Sequence, residues 1–274
     1  VETHLKISAL SREIKQRNAE LIEKQYQLDK DLEMAAAIQR SLLPGLKFES
    51  PHVSVAWKCL PCVQIGGDIF NIAPITDAFT SFYILDVSGH GVAAAMVTVA
   101  ISQFLHQFVH STDSLTKDIM NLPRMVIENL NREFPYERFN EFFTIFYMIL
   151  NTKTGEVSYC NGGHPPSVLL HRDRALETMK GDNLAIGLTD ATYTTECIQL
   201  SKNDKIVLYT DGIIECPNSS GEFYSQKRFH DFLEQVKKES PQIIVDSICK
   251  ELTVFSEASP QLDDISVMVI EWTT

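Results

Sequence analysis

The chain has 274 residues, with 24 Lys and Arg against 36 Asp and Glu, for a formal charge of -12. That length holds one or two domains with real cores, and so acidic a chain is a poor match for the phosphate backbone of nucleic acid, so no nucleic-acid partner is expected. At 44% hydrophobic and 22% charged residues, the composition is that of a globular protein and excludes a disordered or collagenous one.

Six cysteines are scattered over a chain large enough to fold without staples, which points to a reducing, cytoplasmic setting. No uninterrupted apolar run approaches the roughly 20 residues of a spanning helix, so no membrane role is expected. The sequence starts without Met on a stretch that already reads as helix, which suggests a longer parent polypeptide.

Residues 1–48 carry eight basic and seven acidic side chains, so the negative charge belongs to the remainder. The first 43 residues contain no Gly or Pro and are rich in strong helix formers, until Pro44-Gly45 stops the pattern. Ile7, Ile14, Leu21, Leu28, Ala35 and Leu42 recur every seventh position, with Leu10 and Ile38 as apolar companions, but Arg17, Lys24 and Asp31 interrupt the second seam position. Two readings follow: a weakened, switchable parallel homodimer through residues 7–42, or a helix whose stripe lies on its own domain. The chain divides accordingly into a helical regulatory linker, 1–43, and a body, 44–274.

The body opens on short β-rich runs at 53–57, 81–85, 142–150, 156–159, 167–170, 193–200, 205–209 and 265–272. The stretches Asn151–Gly155 and Ser201–Asp204 have turn lengths suited to antiparallel neighbours. Helical stretches are expected at 92–107, 114–133, 226–238 and 241–256, with Ser114 and Ser240 as caps. Within the first, Met96, Val99, Phe104, Leu105 and Phe108 read as core. The order is α+β, without the regular strand-helix alternation of a doubly wound nucleotide fold, and two sheets with helices outside fit it best.

Aspartates recur beside glycine at the ends of probable strands: Gly66-Gly67-Asp68, Asp86-Val87-Ser88-Gly89-His90-Gly91 and Tyr209-Thr210-Asp211-Gly212, then Leu262-Asp263-Asp264-Ile265 before the last strand. Either each caps a turn locally, or they converge at one rim. Converging carboxylates repel by several kcal/mol at about 4 Å for an effective dielectric near 20, which a shared cation or protonation relieves. An all-oxygen donor set favours a hard divalent ion, so Mg2+ or Mn2+ is expected, as a pair bridged by one carboxylate and a water.

These motifs carry a family resemblance. Ala36-Ala37-Ile38-Gln39, Leu42-Leu43-Pro44, Gly66–Asp68, Asp86–Gly91 with Ala93–Ala95, Phe143-Thr144, Asn161-Gly162-Gly163-His164-Pro165-Pro166, Gly187, Tyr209–Gly212 with Glu215, and Leu262–Ile265 stand in the order and spacing of the bacterial PP2C-type serine/threonine phosphatases of sporulation and general-stress signalling. The resemblance runs over residues 34–272. It implies an αββα sandwich of two antiparallel sheets flanked by helices, with a two-metal centre at one end.

Carried over by position, the resemblance makes Asp86 the carboxylate bridging both ions. The Val87 carbonyl becomes a ligand to one of them, and Asp211 and Asp263 ligands to the other. Asp68 matches an acidic position that holds a metal or its water, and Asp264 sits beside the last ligand. Gly67, Gly89, His90, Gly91, Thr144, Asn161, His164 and Gly212 fall in supporting positions. The implied substrate is phosphoserine or phosphothreonine on a small anti-anti-sigma-type protein, and the implied control is an upstream sensor or receiver domain acting through the helical linker. Departures from the family pattern are Asn71, where an acidic residue is usual, and the loop 221–225.

Other chemistry is less well supported. Cys59-Leu60-Pro61-Cys62 has zinc-like or redox-like spacing but no second pair, and no cysteine sits in a Cys-x5-Arg loop. His90 could protonate a leaving group or only orient its turn, while His164, before two prolines and near Asn161, reads as the lock of a turn. A noncatalytic signalling module and a hydrolase of small phosphoesters remain as alternatives. The first should have lost one of Asp86, Asp211 or Asp263, and all three are present.

Overall fold

The computed structural model describes residues 2–45, 48, 50–89, 91–111, 118–181, 184–189 and 191–274. They form two units, one ending at Ser41 and the other Leu42–Thr274. The first is a single helix, α1 (Glu2–Arg40), as a run of helix formers without Gly or Pro requires. Pairs four residues apart, such as Glu13–Arg17 at 2.8 Å, line its surface and add a few tenths of a kcal/mol each. Ile7, Leu10, Ile14, Leu21 and Leu28 are between 52% and 63% exposed, so most of the heptad stripe is uncovered in one chain.

The second unit contains β1 (Val53–Leu60), β2 (Ile69–Pro74), β3 (Phe79–Val87), α2 (Val92–Ser111), α3 (Leu122–Glu133), α4 (Tyr136–Phe139), β4 (Phe143–Asn151), β5 (Glu156–Gly162), β6 (Ser167–Leu170), β7 (Glu177–Met179), β8 (Glu196–Gln199), β9 (Lys205–Tyr209), α5 (Gln226–Val236), α6 (Pro241–Ser256) and β10 (Ile265–Trp272). The strands make two antiparallel sheets, ordered β1-β10-β9-β6-β7 and β2-β3-β4-β5-β8. The central strands β3, β4, β9 and β10 are buried on both faces and read as nearly continuous apolar runs, whereas the edge strands β1, β7 and β8 are partly exposed, and alternate residues serve different layers. Phe82, Ile84, Phe146, Met148, Leu208, Met268 and Ile270 pack between the sheets. Leu85, Ile145 and Tyr147 pack with Ile101 of α2 and Val126 of α3, while Val207, Val267 and Val269 pack with Leu233 of α5 and Ile248 of α6. The result is the expected αββα sandwich.

Local differences from the sequence reading have physical causes. The helix expected over 114–133 begins at Leu122, after a single 3-10 turn at Ile119–Asn121, because Pro123 is tolerated only in a helix's first turn. Ser114 lies outside the described residues. Ser240 sits at the N-cap position of α6 without a side-chain capping bond, and Pro241 starts that helix. Ser201–Asp204 does turn the chain, but it crosses between sheets: β8 pairs with β5, whereas β9 lies between β10 and β6. Of the residues expected as core, Leu105 is buried and Phe104 and Phe108 pack against that layer, but Met96 is 61% exposed, and Ala94, Val97 and Ile101 supply the rest of the buried face of α2. That helix is long and apolar enough over Val92–Val109 to cross a membrane by length and composition, but its apolar stripe is spent on the sheet.

Candidate active site

Alternation along the strands delivers acidic side chains to one end of the sandwich. In β3, Phe82 and Ile84 face the opposite sheet and Leu85 and Val87 face the helices, so Asp86 emerges on the inter-sheet side. Thr144 of β4 lies directly opposite it in the ladder, and Asp68, just before β2, falls in step with Phe70 and Ile72. In the second sheet Thr210 continues the inward series of Ile206 and Leu208, and Asp264 and Ser266 precede Met268 and Ile270 in theirs. The apolar layer between the sheets therefore ends in a polar patch.

Asp264 is the hub of this patch. It is buried, and its carboxylate accepts the backbone N–H of Cys62 at 2.8 Å, of Gly67 at 2.7 Å and of Asp68 at 3.4 Å. One side chain of the second sheet thus holds the loop that carries Asp68. The Thr210 hydroxyl donates to Asp68 Oδ2 at 2.8 Å and accepts the N–H of Ser266 at 3.0 Å, a second link between the sheets. Asp263 Oδ1 accepts the N–H of Asp264 at 2.8 Å.

The charges repel, as the strand-end pattern anticipates. Burial raises the Asp86 carboxyl from 3.8 to about 9, with further contributions from Asp68, Asp211, Asp263 and Asp264. Asp68 is raised well above the carboxylate range by burial and then by Asp264. Asp211 rises to about 6 through burial, Asp263 and Glu215, and its buried Oδ1 has no hydrogen-bond partner. Among the described residues no three acidic, His or Cys side chains close on one point suited to an ion. The donor chemistry nevertheless fits a hard cation: every group is an oxygen, Asp211 offers an orphaned one, and the mutual repulsion is the kind an ion offsets.

The supporting residues fall around the same end. Gly67 has no room for a side chain, since a Cβ would sit 2.6 Å from the Val87 carbonyl oxygen, and at Gly212 it would meet the Asp264 carbonyl at 2.0 Å. Gly89 and Gly91 take positive φ in the turn after β3, and His90 between them lies outside the described residues. Ser88 donates to Glu141 at 2.7 Å and accepts the Phe142 N–H, so Glu141 steadies that turn. Asn161 locks the following turn: its Oδ1 accepts the His164 N–H at 2.7 Å and its Nδ2 donates to the His164 carbonyl at 2.9 Å. The His164 ring is buried, and burial lowers it to about 3 against the opposing effect of the Tyr209 carbonyl.

Of the two departures from the pattern, the loop 221–225 folds back on residues 214–217, and Asn71 lies on the side of its strand away from the acidic patch. Asn71 alternates with Phe70 and Ile72, borders a small cavity with Tyr83, Ser102 and Tyr147, and bonds the Ile72 N–H. The cysteines near the site are poor nucleophiles, because burial raises the Cys59 thiol to about 12 and the Cys62 thiol to about 11. Sequence reasoning missed Thr210, Ser266 and Glu141. Thr210 and Ser266 could have been found by extending each strand's inward parity past its last apolar residue, but no local signal marks Glu141.

A family model described as stage II sporulation protein E (SpoIIE) matches residues 76–273. The chain is 25% identical over 248 residues to phosphoserine phosphatase RsbU of Bacillus subtilis, covering 90% of this chain and 71% of that protein. Against protein IcfG of Synechocystis it is 23% identical, over 88% of this chain but only 41% of that protein, so the chain spans well under half of that relative. Among solved structures, the SiaA PP2C domain of Pseudomonas aeruginosa superposes with a TM-score of 0.78 at 19% identity, covering 90% of this chain and 98% of that one.

Proposed function

The chain belongs to the stage II sporulation protein E family, and on that premise we propose that it is a metal-dependent phosphatase of phosphoserine or phosphothreonine in proteins. The observation that carries this reading is the placement of Asp68 and Asp264, both buried, beside the half-buried Asp86, Asp211 and Asp263 at one end of a PP2C-like sandwich, near enough that the other four all raise Asp86. Asp86, Asp211 and Asp263, with the Val87 carbonyl, would hold two Mn2+ or Mg2+ ions. When bound, such ions supply positive charge to the phosphoryl oxygens and acidify a water for in-line attack on phosphorus. RsbX, a structural neighbour with a TM-score of 0.61, was solved in complex with magnesium, which supports the choice of ion.

In this reading the chain's own residues position and exclude. Asp264 spends its carboxylate on three backbone N–H groups and fixes the Asp68 loop, so its role is to hold the donors in place. Thr210 orients Asp68 by its hydroxyl bond. The raised thiols of Cys59 and Cys62 argue against a covalent cysteine intermediate. An acidic patch repels phosphate, so hydrolysis must vanish on chelation and return with Mn2+.

The named activity of RsbU, a phosphoserine phosphatase, supports phosphoserine as the group attacked; a small anti-anti-sigma-type protein as its carrier is what the family resemblance implies. Control through α1 by an upstream sensor or receiver domain, with α1 paired to a second copy, belongs to the same proposal. The exposed Ile7, Ile14, Leu21 and Leu28 support the pairing. The test is release of phosphate from a phosphoserine-bearing anti-anti-sigma protein, with and without Mn2+. Hydrolysis of an aryl phosphate alone would retain the enzyme and reject the protein substrate, and no hydrolysis of either would leave a binding module.

A further inference from the structure

The two sheets are held apart by interdigitating apolar side chains along most of their length, and this spacing device stops where the polar patch begins. There the structure substitutes a ring. His164 lies after β5 of one sheet and before β6 of the other, and both its nitrogens are used across the gap. Nδ1 is 2.8 Å from the hydroxyl of Thr144, which sits opposite Asp86 in the ladder. Nε2 is 3.0 Å from the carbonyl oxygen of Tyr209, two residues before Asp211. A carbonyl can only accept, so Nε2 carries the hydrogen and Nδ1 accepts from Thr144. The ring is a planar strut of fixed length between β4, which pairs with the strand that delivers Asp86, and β9, the strand that leads to Asp211, and Asn161 clamps its backbone on both sides.

We propose that His164 is a positioning residue that sets the separation of Asp86 and Asp211, and through it the affinity of the centre for divalent ions. The inference rests on the metal-dependent phosphatase reading. It gives the histidine a task beyond locking its own turn: the turn is already secured by Asn161, and the ring is left to span the sheets.

The test compares the full chain with His164→Ala, His164→Gln and Thr144→Val by Mn2+ titration calorimetry, thermal melting and steady-state hydrolysis of an aryl phosphate. His164→Ala should lose about tenfold or more in Mn2+ affinity, the scale of an outer-sphere partner, while kcat at saturating Mn2+ falls less. His164→Gln, whose amide can donate at one end and accept at the other, should recover most of that loss. Thr144→Val, of nearly the same shape, should weaken Mn2+ binding without lowering the melting temperature in proportion. An Ala variant that folds and binds Mn2+ within twofold of wild type overturns the inference. If that variant does not fold, Thr144→Val decides alone: wild-type affinity overturns the strut and weakened affinity supports it. A wild-type chain that takes up no Mn2+ overturns the reading beneath the inference, and is recognised by the failure of the wild type itself.

Discussion

Replacing Asp86 with Asn should make the metal-free protein more stable. In the folded chain burial and neighbouring carboxylates raise Asp86 from 3.8 to about 9, so at pH 7 it holds a proton that the unfolded chain has released. Holding it costs about 1.4 kcal/mol for each pH unit above the ordinary carboxyl range, or about 4 kcal/mol at neutrality, as an upper limit because the surrounding carboxyls share the effect. Asn never ionises and removes that cost. For a body of this size, roughly 2–4 °C of melting temperature accompany each kcal/mol, so the variant should melt about 5–15 °C higher in chelator at pH 7. The pH dependence has a definite sign. The native state of the wild type binds more protons than the unfolded state between about 4 and about 9, so its metal-free stability falls as pH rises through that window. The Asn variant should show a flatter profile. Melting curves by circular dichroism, from pH 4 to 9 with EDTA and then with Mn2+, read all of this. Mn2+ should stabilise the wild type by mass action and leave the variant nearly unmoved. A variant that melts no higher in chelator and gains as much from Mn2+ as the wild type would refute the reasoning.

Three further outcomes are expected. Gly67→Ala forces a Cβ to within 2.6 Å of the Val87 carbonyl oxygen and 3.2 Å of that of Gly89, both backbone, so urea titration should show a loss of roughly 1–3 kcal/mol and calorimetry weaker Mn2+ binding. Wild-type values for both would mean the loop is not tightly set. Asp264→Ala strips the acceptor from the buried Gly67 N–H, with an expected cost of roughly 1–3 kcal/mol at saturating Mn2+, and unchanged stability would remove Asp264 from the centre of the network. Deleting residues 1–33, or introducing Leu21→Asp, should convert a dimer to a monomer by light scattering. A full chain that is already monomeric across micromolar concentrations would contradict pairing through α1.

Much of the sandwich is legible because β3, β4 and β10 are long, mostly apolar runs, β3 closing on Asp86 and the Gly89 turn and β10 following Asp263-Asp264. Alternation along them already tells which side Asp86 faces. The strand β2 escaped notice because its six residues end on Pro74 and carry Asn71, and β7 because three residues are too few for any periodicity. The strand expected over 193–200 shrinks to Glu196–Gln199, with Tyr193 buried in the layer beneath α2 and α3. The turn at Ser201–Asp204 shows a deeper limit, since turn length reports that the chain reverses but not which sheet receives it. In the candidate site, the aspartates that lie at one end of the sandwich are ones singled out by residue type and spacing. That Asp264 holds backbone N–H groups and that His164 spans two sheets depends on partners 196 or more and 45 residues away in sequence, which no local pattern encodes.

The most direct test of the account is phosphate release from a phosphoserine anti-anti-sigma-type protein by the wild-type chain and by Asp211→Asn, each in EDTA and in Mn2+. Release should occur only for the wild type with Mn2+. Release in EDTA, or undiminished release by Asp211→Asn with Mn2+, would contradict a metal centre built on these carboxylates.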